Sequence, residues 1–356
     1  MTERKIPDSM ERVEFKDVED VLHRNLFPVF GERFTEYRKN YVDTLNSEHT
    51  GFVPPHPLTV TLELVNRCNL NCVMCYTVNH KGQKYTLDMD SLRKFFADCT
   101  RNGVPSLMLG DHSEALLYKE IREVILVAKA AGIMDIFLFT NGVLLTEELS
   151  AFLVQEQISR VFVSLDAATP ETYIAIRGKD ELARIERNLL KLLEIRRDRD
   201  SELPMVRVSF CVQQGNHQEQ DAFHRKWEGV VDYIDYQAAS DVSWVTELVE
   251  TGTVKDAKLL EADTGHKLPF CNQPFGYLCV LSSGDITPCC NFYAHNLKIG
   301  HISRDTIQDV WNGEAMKTLR QELLTGNFNN TCRVCLSQRY NDFSPGVQQA
   351  SVKDRD

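Results

Sequence analysis

From Thr59 onward the chain alternates short, β-branched apolar runs with longer segments whose apolar positions recur every three to four residues. The short runs predict strands over 59–64, 106–109, 136–139, 160–164, 206–211 and 232–237. The intervening spacing predicts helices over 92–99, with Asp88 and Asp90 as possible caps, over 118–131 and 147–155, and further helices beginning near Pro170 and Leu182. Six strand–helix units in this order predict an α/β fold of parallel strands with right-handed crossovers. Such sheets place ligands at the C-terminal ends of their strands.

Ahead of the first strand the pattern is different. Leu22, Leu26, Phe30, Phe34 and Tyr37 fall at helical spacing, which predicts a helical N-terminal extension over 1–56, broken or kinked at Pro28. Pro54, Pro55 and Pro57 then form a stiff boundary. The stretch 194–202 reads as a solvated helix end.

The densest chemistry follows the first strand: Cys68-Asn-Leu-Asn-Cys72-Val-Met-Cys75. Three thiolates this close can grip three corners of a 4Fe–4S cube and leave the fourth iron open to a substrate or cofactor. Zinc or three buried thiols are the plainer alternatives, but the three-residue gap suits zinc poorly.

Composition narrows the picture. The chain has 356 residues, 43% of them hydrophobic, enough for a sizeable core. No apolar run approaches membrane-spanning length, and the N-terminus lacks the apolar centre of a signal peptide, so a cytoplasmic protein is expected. In that reducing compartment the 11 cysteines read as metal ligands rather than disulfides. A net charge of −11 argues against a nucleic-acid partner.

The C-x3-C-x2-C spacing after a strand resembles the radical S-adenosylmethionine (radical SAM) superfamily. That resemblance implies a partial (β/α)6 barrel of parallel strands over 57–265. It also implies S-adenosylmethionine chelated to the open iron, reductive cleavage to a 5′-deoxyadenosyl radical, and hydrogen abstraction from substrate. Met74 stands where the family often has an aromatic residue. Gly110-Asp111-His112-Ser113-Glu114 is similar to the family's Gly-Gly-Glu-Pro segment, which implies Glu114 as the acid for the methionine ammonium, with Asp111 as its rival and Ser113 beside it. Ser164 and Asp166 resemble the pair that meets the ribose hydroxyls; Asp166 reads equally as a cap for the helix near Pro170. Asn141 is a further cofactor candidate, or simply part of an Asn-Gly turn. Arg177 and Arg207 are candidates for the methionine carboxylate or a substrate acid.

A second cysteine set occupies the last third: Cys271, Cys279, Cys289, Cys290, Cys332 and Cys335. Ser283-Gly284-Asp285 predicts a hairpin turn that brings Cys271 and Cys289 together. A helix ending near Gly326 then delivers Cys332 and Cys335. With Trp311 and Leu319-Arg320, this order resembles the SPASM and twitch auxiliary-cluster domains. The resemblance implies a small C-terminal cysteine-rich domain of β-hairpin plus helix over 266–340, followed by a flexible tail over 341–356. It implies one auxiliary 4Fe–4S cluster, in the shorter twitch form, on Cys271, Cys289, Cys332 and Cys335. Cys290 is the rival of Cys289, and a zinc ribbon is the alternative use of the same thiols. Cys99 reads as core.

The leading expectation is a radical oxidoreductase that dehydrogenates a sugar, cyclitol or similar polar metabolite, reduced by a flavodoxin- or ferredoxin-type donor. His112 is the candidate general base. The alternatives are a peptide- or protein-modifying maturase, an epimerase using Cys211 (or Cys290 or Cys279) as hydrogen donor, and a non-enzymatic iron–sulfur electron carrier.

Overall fold

A computed structural model describes residues 14–75, 83–110, 112–239 and 268–343. Asp111, the boundary near 265 and residues 344–356 of the expected tail lie outside the described residues.

The six expected strands form: β1 (Thr59–Leu62), β2 (Ser106–Leu109), β3 (Asp135–Thr140), β4 (Arg160–Ser164), β5 (Met205–Val212) and β6 (Tyr233–Ala238). Each pairs in parallel with the next. Strict alternation gives the curved sheet two different faces. Val60, Leu62, Leu107, Leu109, Ile136, Leu138, Val161, Val163, Val206 and Val208 enter one large core shared with the crossover helices. The opposite face carries a separate cluster of Met108, Phe137 and Phe162, with Phe139 and Tyr233 packed against it. That second face lines the concave side, the lumen.

The crossover helices run Met89–Asn102, Ile121–Ala130, Glu147–Gln155, Pro170–Arg177, Leu182–Asp198 and Gln220–Trp227. Asp88, rather than Asp90, caps the first of them, its side chain accepting from the Ser91 N–H. The helix expected from 118 begins at Ile121. The chain first makes a 3-10 turn over Ala115–Leu117, whose Leu116 N–H is taken by the Glu114 side chain. The helix near Pro170 is capped by Thr169, so Asp166 is not its cap.

Two helices, Glu14–Phe30 and Glu32–Leu45, close the opposite end of the barrel. Leu22, Leu26, Phe34 and Tyr37 pack on Leu58, Met134, Leu203 and Met205, residues at or just before the strands' N-terminal ends. Pro28 sits inside the last turn of the first helix, and the expected break falls instead at Gly31, whose φ is +54°. A proline near a helix end costs few backbone hydrogen bonds, whereas a left-handed residue turns the chain. The Tyr37 hydroxyl donates to Asp135 at 2.9 Å, and Asp135, wholly buried, pairs with Arg160 at 2.5 Å.

The C-terminal part extends this sheet. Strand β7 (Tyr277–Val280) pairs in parallel with β1, while β8 (Asp285–Thr287) and β9 (Gly300–His301) continue antiparallel. The sheet order is β6-β5-β4-β3-β2-β1-β7-β8-β9. The expected hairpin forms at Gly284, φ +89°. Helices Ile307–Trp311, Glu314–Thr325 and Asn330–Phe343 follow. Trp311 is fully buried and donates its Nε1–H to the Pro54 carbonyl at 2.8 Å. The Arg320 guanidinium lies 4.1 Å over the Trp311 ring and donates to the carbonyls of Trp311 and Pro274. Burial lowers its pKa to about 10. No helix among the described residues is long and apolar enough to cross a membrane.

Candidate active site

The loop carrying Cys68, Cys72 and Cys75 leaves the C-terminal end of β1 and is held from two sides. On one side Asn141 donates through Nδ2 to Asn69 Oδ1 at 2.7 Å and to Cys68 Sγ at 3.6 Å. On the other, the Asn71 and Val73 N–H groups donate to the carbonyls of Arg177 and Ile176, at the end of the helix Pro170–Arg177. Gly178 lets the two approach: at φ +77°, a Cβ here would sit 2.8 Å from the Asn71 carbonyl oxygen. The Arg177 guanidinium donates through Nη1 to Cys72 Sγ at 3.4 Å.

Cys72 is buried, and Cys68 and Cys75 are partly so. Burial pushes the Cys68 thiol up to about 11, and the neighbouring Glu114, Cys72 and Cys75 add to the rise. Three thiols within electrostatic reach of one another suit a cationic cluster that takes them as thiolates and releases their protons.

Glu114 is 2% exposed. Its Oε1 accepts from Thr140 Oγ1 at 2.7 Å and from the Leu116 N–H at 3.1 Å, and Oε2 accepts from the Asn141 N–H at 2.7 Å. Burial nonetheless raises its pKa. The acid expected to face an ammonium therefore ties the loops after β2 and β3 together, and Ser113 and His112 precede it on the same rim. His112 is only partly exposed and packs on Phe292 and His295, ring centroids 5.6 and 5.2 Å away. Burial and His295 hold it well below the usual histidine range, so it is neutral.

Asp166 also turns inward. It is 1% exposed and adopts φ +64°. Its Oδ1 accepts the Cys211 N–H at 2.7 Å, and its Oδ2 pairs with Arg177. Asp166 and Arg177 thus engage each other inside the protein, while the Arg177 Nε is buried with no hydrogen-bond partner among the described residues. Ser164, half-buried at the end of β4, lies in register with Ser209 of β5 and keeps its place on the lumen face. Arg207 faces the lumen floor, its guanidinium 3.9 Å over Phe162 and 5.3 Å over Phe139, and 3.3 Å from Asp235.

The second thiol group also gathers. Burial, then Cys271, Cys290 and Cys335, drive the Cys289 thiol well up. Burial and Cys271 raise Cys332 to about 12. Cys289 thus lies near Cys271, Cys290 and Cys335, and Cys271 lies near Cys332 as well. Cys290 packs against the lumen cluster of Met108, Phe137 and Phe162. Cys279 is fully buried on β7 and Cys99 is core, 1% exposed. Among the described residues no three His, Cys, Asp or Glu are gathered tightly enough for a single metal ion. A zinc tetrahedron would need sulfurs ~3.8 Å apart, and a cube of four irons spaces its thiolates more widely.

Asn69, Thr140, Asn216 and Glu63 were not expected here. Asn216 donates to the carbonyls of Asp166 and Cys211. Glu63, 4% exposed, accepts from the Ser282 N–H and Oγ and joins β1 to the C-terminal hairpin. Asn69 adjoins Cys68, the one signal that marked it; the others carry none.

A parallel half-barrel with three thiols on its C-terminal rim and six more in an appended hairpin domain defines an iron–sulfur enzyme of the barrel type. Residues 62–207 match the radical SAM superfamily, and residues 271–336 match SPASM, an iron-sulfur cluster-binding domain. The chain carries a radical SAM domain and a C-terminal SPASM domain; these domains imply a 4Fe–4S cluster, S-adenosylmethionine and an auxiliary cluster. It is 30% identical over 166 residues to a probable GTP 3′,8-cyclase of Methanothermobacter thermautotrophicus, 46% of this chain and 51% of that protein. The chain thus spans about half the length of this relative. Streptococcus suis SuiB bound to precursor peptide SuiA shares the fold, with a TM-score of 0.56 at 17% identity, over 89% of this chain and 77% of that one. Native anSMEcpe with bound AdoMet and Kp18Cys peptide does so with a TM-score of 0.58 at 16% identity, over 83% and 95%.

Proposed function

We propose that this radical SAM enzyme oxidises a hydroxyl-bearing carbon of a small polar metabolite held in the lumen. When bound, S-adenosylmethionine on its cluster supplies hydrogen-atom abstraction, and an auxiliary cluster supplies a one-electron acceptor. Cys68, Cys72 and Cys75 would hold the first cluster; Cys271, Cys289, Cys332 and Cys335 would hold the second. Asn141 and the helix end at Ile176–Arg177 keep the first thiol loop in place. A flavodoxin- or ferredoxin-type protein is the reductant in this reading.

The observation that carries it is the lumen floor. Arg207 and Asp235 form an ion pair on a platform of Phe162 and Phe139, with the Ser164–Ser209 rung one step further along the strands. A neighbouring pair of donor and acceptor suits adjacent hydroxyls, one donating to the carboxylate and the next accepting from the guanidinium. The aromatic rings cover the apolar face of a ring-shaped substrate. The low pKa of His112 and its packing against Phe292 and His295 leave it a weak base, so Asp235 is the better-placed acceptor.

The test is anaerobic turnover of the reconstituted chain with carbon-deuterated polyols, cyclitols and peptides. Deuterium entering 5′-deoxyadenosine from a carbinol carbon, with a ketone product, is the expected result. Label arriving only from peptide carbons would overturn the reading in favour of a maturase.

A further inference from the structure

We propose that Arg177 is a positioning residue that sets the reduction potential of the first cluster through Cys72, with Asp166 as its counter-charge. The proposal rests on Cys72 being a cluster ligand.

Its starting point is a chain of three contacts with no surface member. Arg177 Nη1 donates to Cys72 Sγ at 3.4 Å, Arg177 Nη2 pairs with Asp166, and Asp166 Oδ1 accepts the Cys211 N–H at 2.7 Å. Cys72, Arg177 and Asp166 are 6%, 8% and 1% exposed. The Arg177 Nε is also buried and has no hydrogen-bond partner among the described residues, which leaves one guanidinium donor for a group present only in the loaded protein.

A cationic, hydrogen-bonding neighbour of a ligating sulfur stabilises the more negative, reduced cluster, and hydrogen bonds to sulfur are a recognised control of potential. A guanidinium suits this use because it stays charged when buried. Its orientation is over-determined. The same residue's carbonyl accepts the Asn71 N–H, so the helix end that carries the charge also grips the thiol loop. Asp166 holds the fork from the other side and is itself fixed by β5. Its left-handed φ of +64° is a strained backbone state for a non-glycine residue, the kind that persists where surroundings impose it. The sequence places Asp166 eleven residues from Arg177, and only the turn of the helix Pro170–Arg177 back over the cysteine loop joins them.

The experiment is an EPR-monitored redox titration of the anaerobically reconstituted full chain, with and without S-adenosylmethionine. The signal that changes on adding the cofactor belongs to the first cluster. Arg177→Gln should shift its reduction equilibrium at least tenfold towards the oxidised form, a fall of about 59 mV for one electron. Arg177→Lys, which keeps the charge, should shift it less. Asp166→Asn should move it the opposite way, and this variant decides the question if Arg177→Gln does not assemble a cluster. A cofactor-responsive signal whose midpoint is unchanged in Arg177→Gln, or in Asp166→Asn as the remaining variant, overturns the proposal while leaving the cluster assignment intact. A wild-type protein with no cofactor-responsive signal defeats both.

Discussion

The Glu114 carboxylate accepts the backbone N–H of Asn141 at 2.7 Å, so one buried charge joins the rim loops after β2 and β3. Asn141 in turn grips Asn69 and Cys68, which links this carboxylate to the first thiol loop. Burial raises the Glu114 pKa above its ordinary 4.5. Its contribution to stability is therefore complete below that value and is lost as pH rises through the folded one. Glu114→Gln removes this dependence but sets an amide NH2 against existing donors. We expect a loss of about 1–3 kcal/mol near pH 5, narrowing as pH rises to 8. Urea denaturation across that range measures it, and a gap that widened with pH would contradict the argument.

Gly178 occupies a position that a side chain cannot. A Cβ would stand 2.8 Å from the Asn71 carbonyl oxygen, on a residue at φ +77°. Gly178→Ala should displace the loop of Cys68, Cys72 and Cys75 and cost about 1–3 kcal/mol. Iron per chain after reconstitution should fall from about eight atoms towards four, with the C-terminal set still loaded. Full iron content in a folded Gly178→Ala protein would refute the contact.

At the closed end of the barrel, Asp135 is wholly buried between Arg160 and Tyr37. Burial opposes its charge, but Arg160 and Arg38 prevail and hold its pKa below 3.8. The group stabilises the fold above that value and loses its contribution as pH falls through the folded one. Asp135→Asn leaves Arg160 without its partner and should cost about 3–5 kcal/mol at pH 7. The difference from the wild type should shrink below pH 4 in chemical denaturation. The variant tests the N-terminal helices as a plug, since Tyr37 belongs to them.

Trp311→Phe keeps most of the buried ring and deletes the donor to Pro54. The orphaned carbonyl and weakened stacking under Arg320 should cost about 1–3 kcal/mol. Limited proteolysis should then cut first between 51 and 57, the segment that this bond holds. Unchanged cleavage would show that the proline-rich linker is held by other contacts.

Much of the fold was legible because its signals are local. The short apolar runs at 106–109 and 160–164 match the observed strands residue for residue, and Thr146 and Thr169 cap helices that periodicity alone placed. The break in the N-terminal helices was misplaced at Pro28 because proline is the louder signal, while the turn at Gly31 depends on a backbone angle. The site was legible as residue types and less so as roles. Glu114, Asp166 and Arg177 stood out as residue types, and the structure shows their side chains bonded to Asn141, Cys211 and Cys72.

The amino-acid order by itself determined the alternating strand–helix plan, the three-thiol loop after the first strand and the later cysteine set, because spacing along a chain survives folding. The tertiary structure decided which faces line the lumen, that β7 continues the barrel sheet beside β1, and that Cys290, a neighbour of Cys289, also packs against the lumen cluster. These depend on contacts between residues dozens to hundreds of positions apart. A buried polar group takes whichever partner the packed fold brings within reach, and no local pattern records that choice.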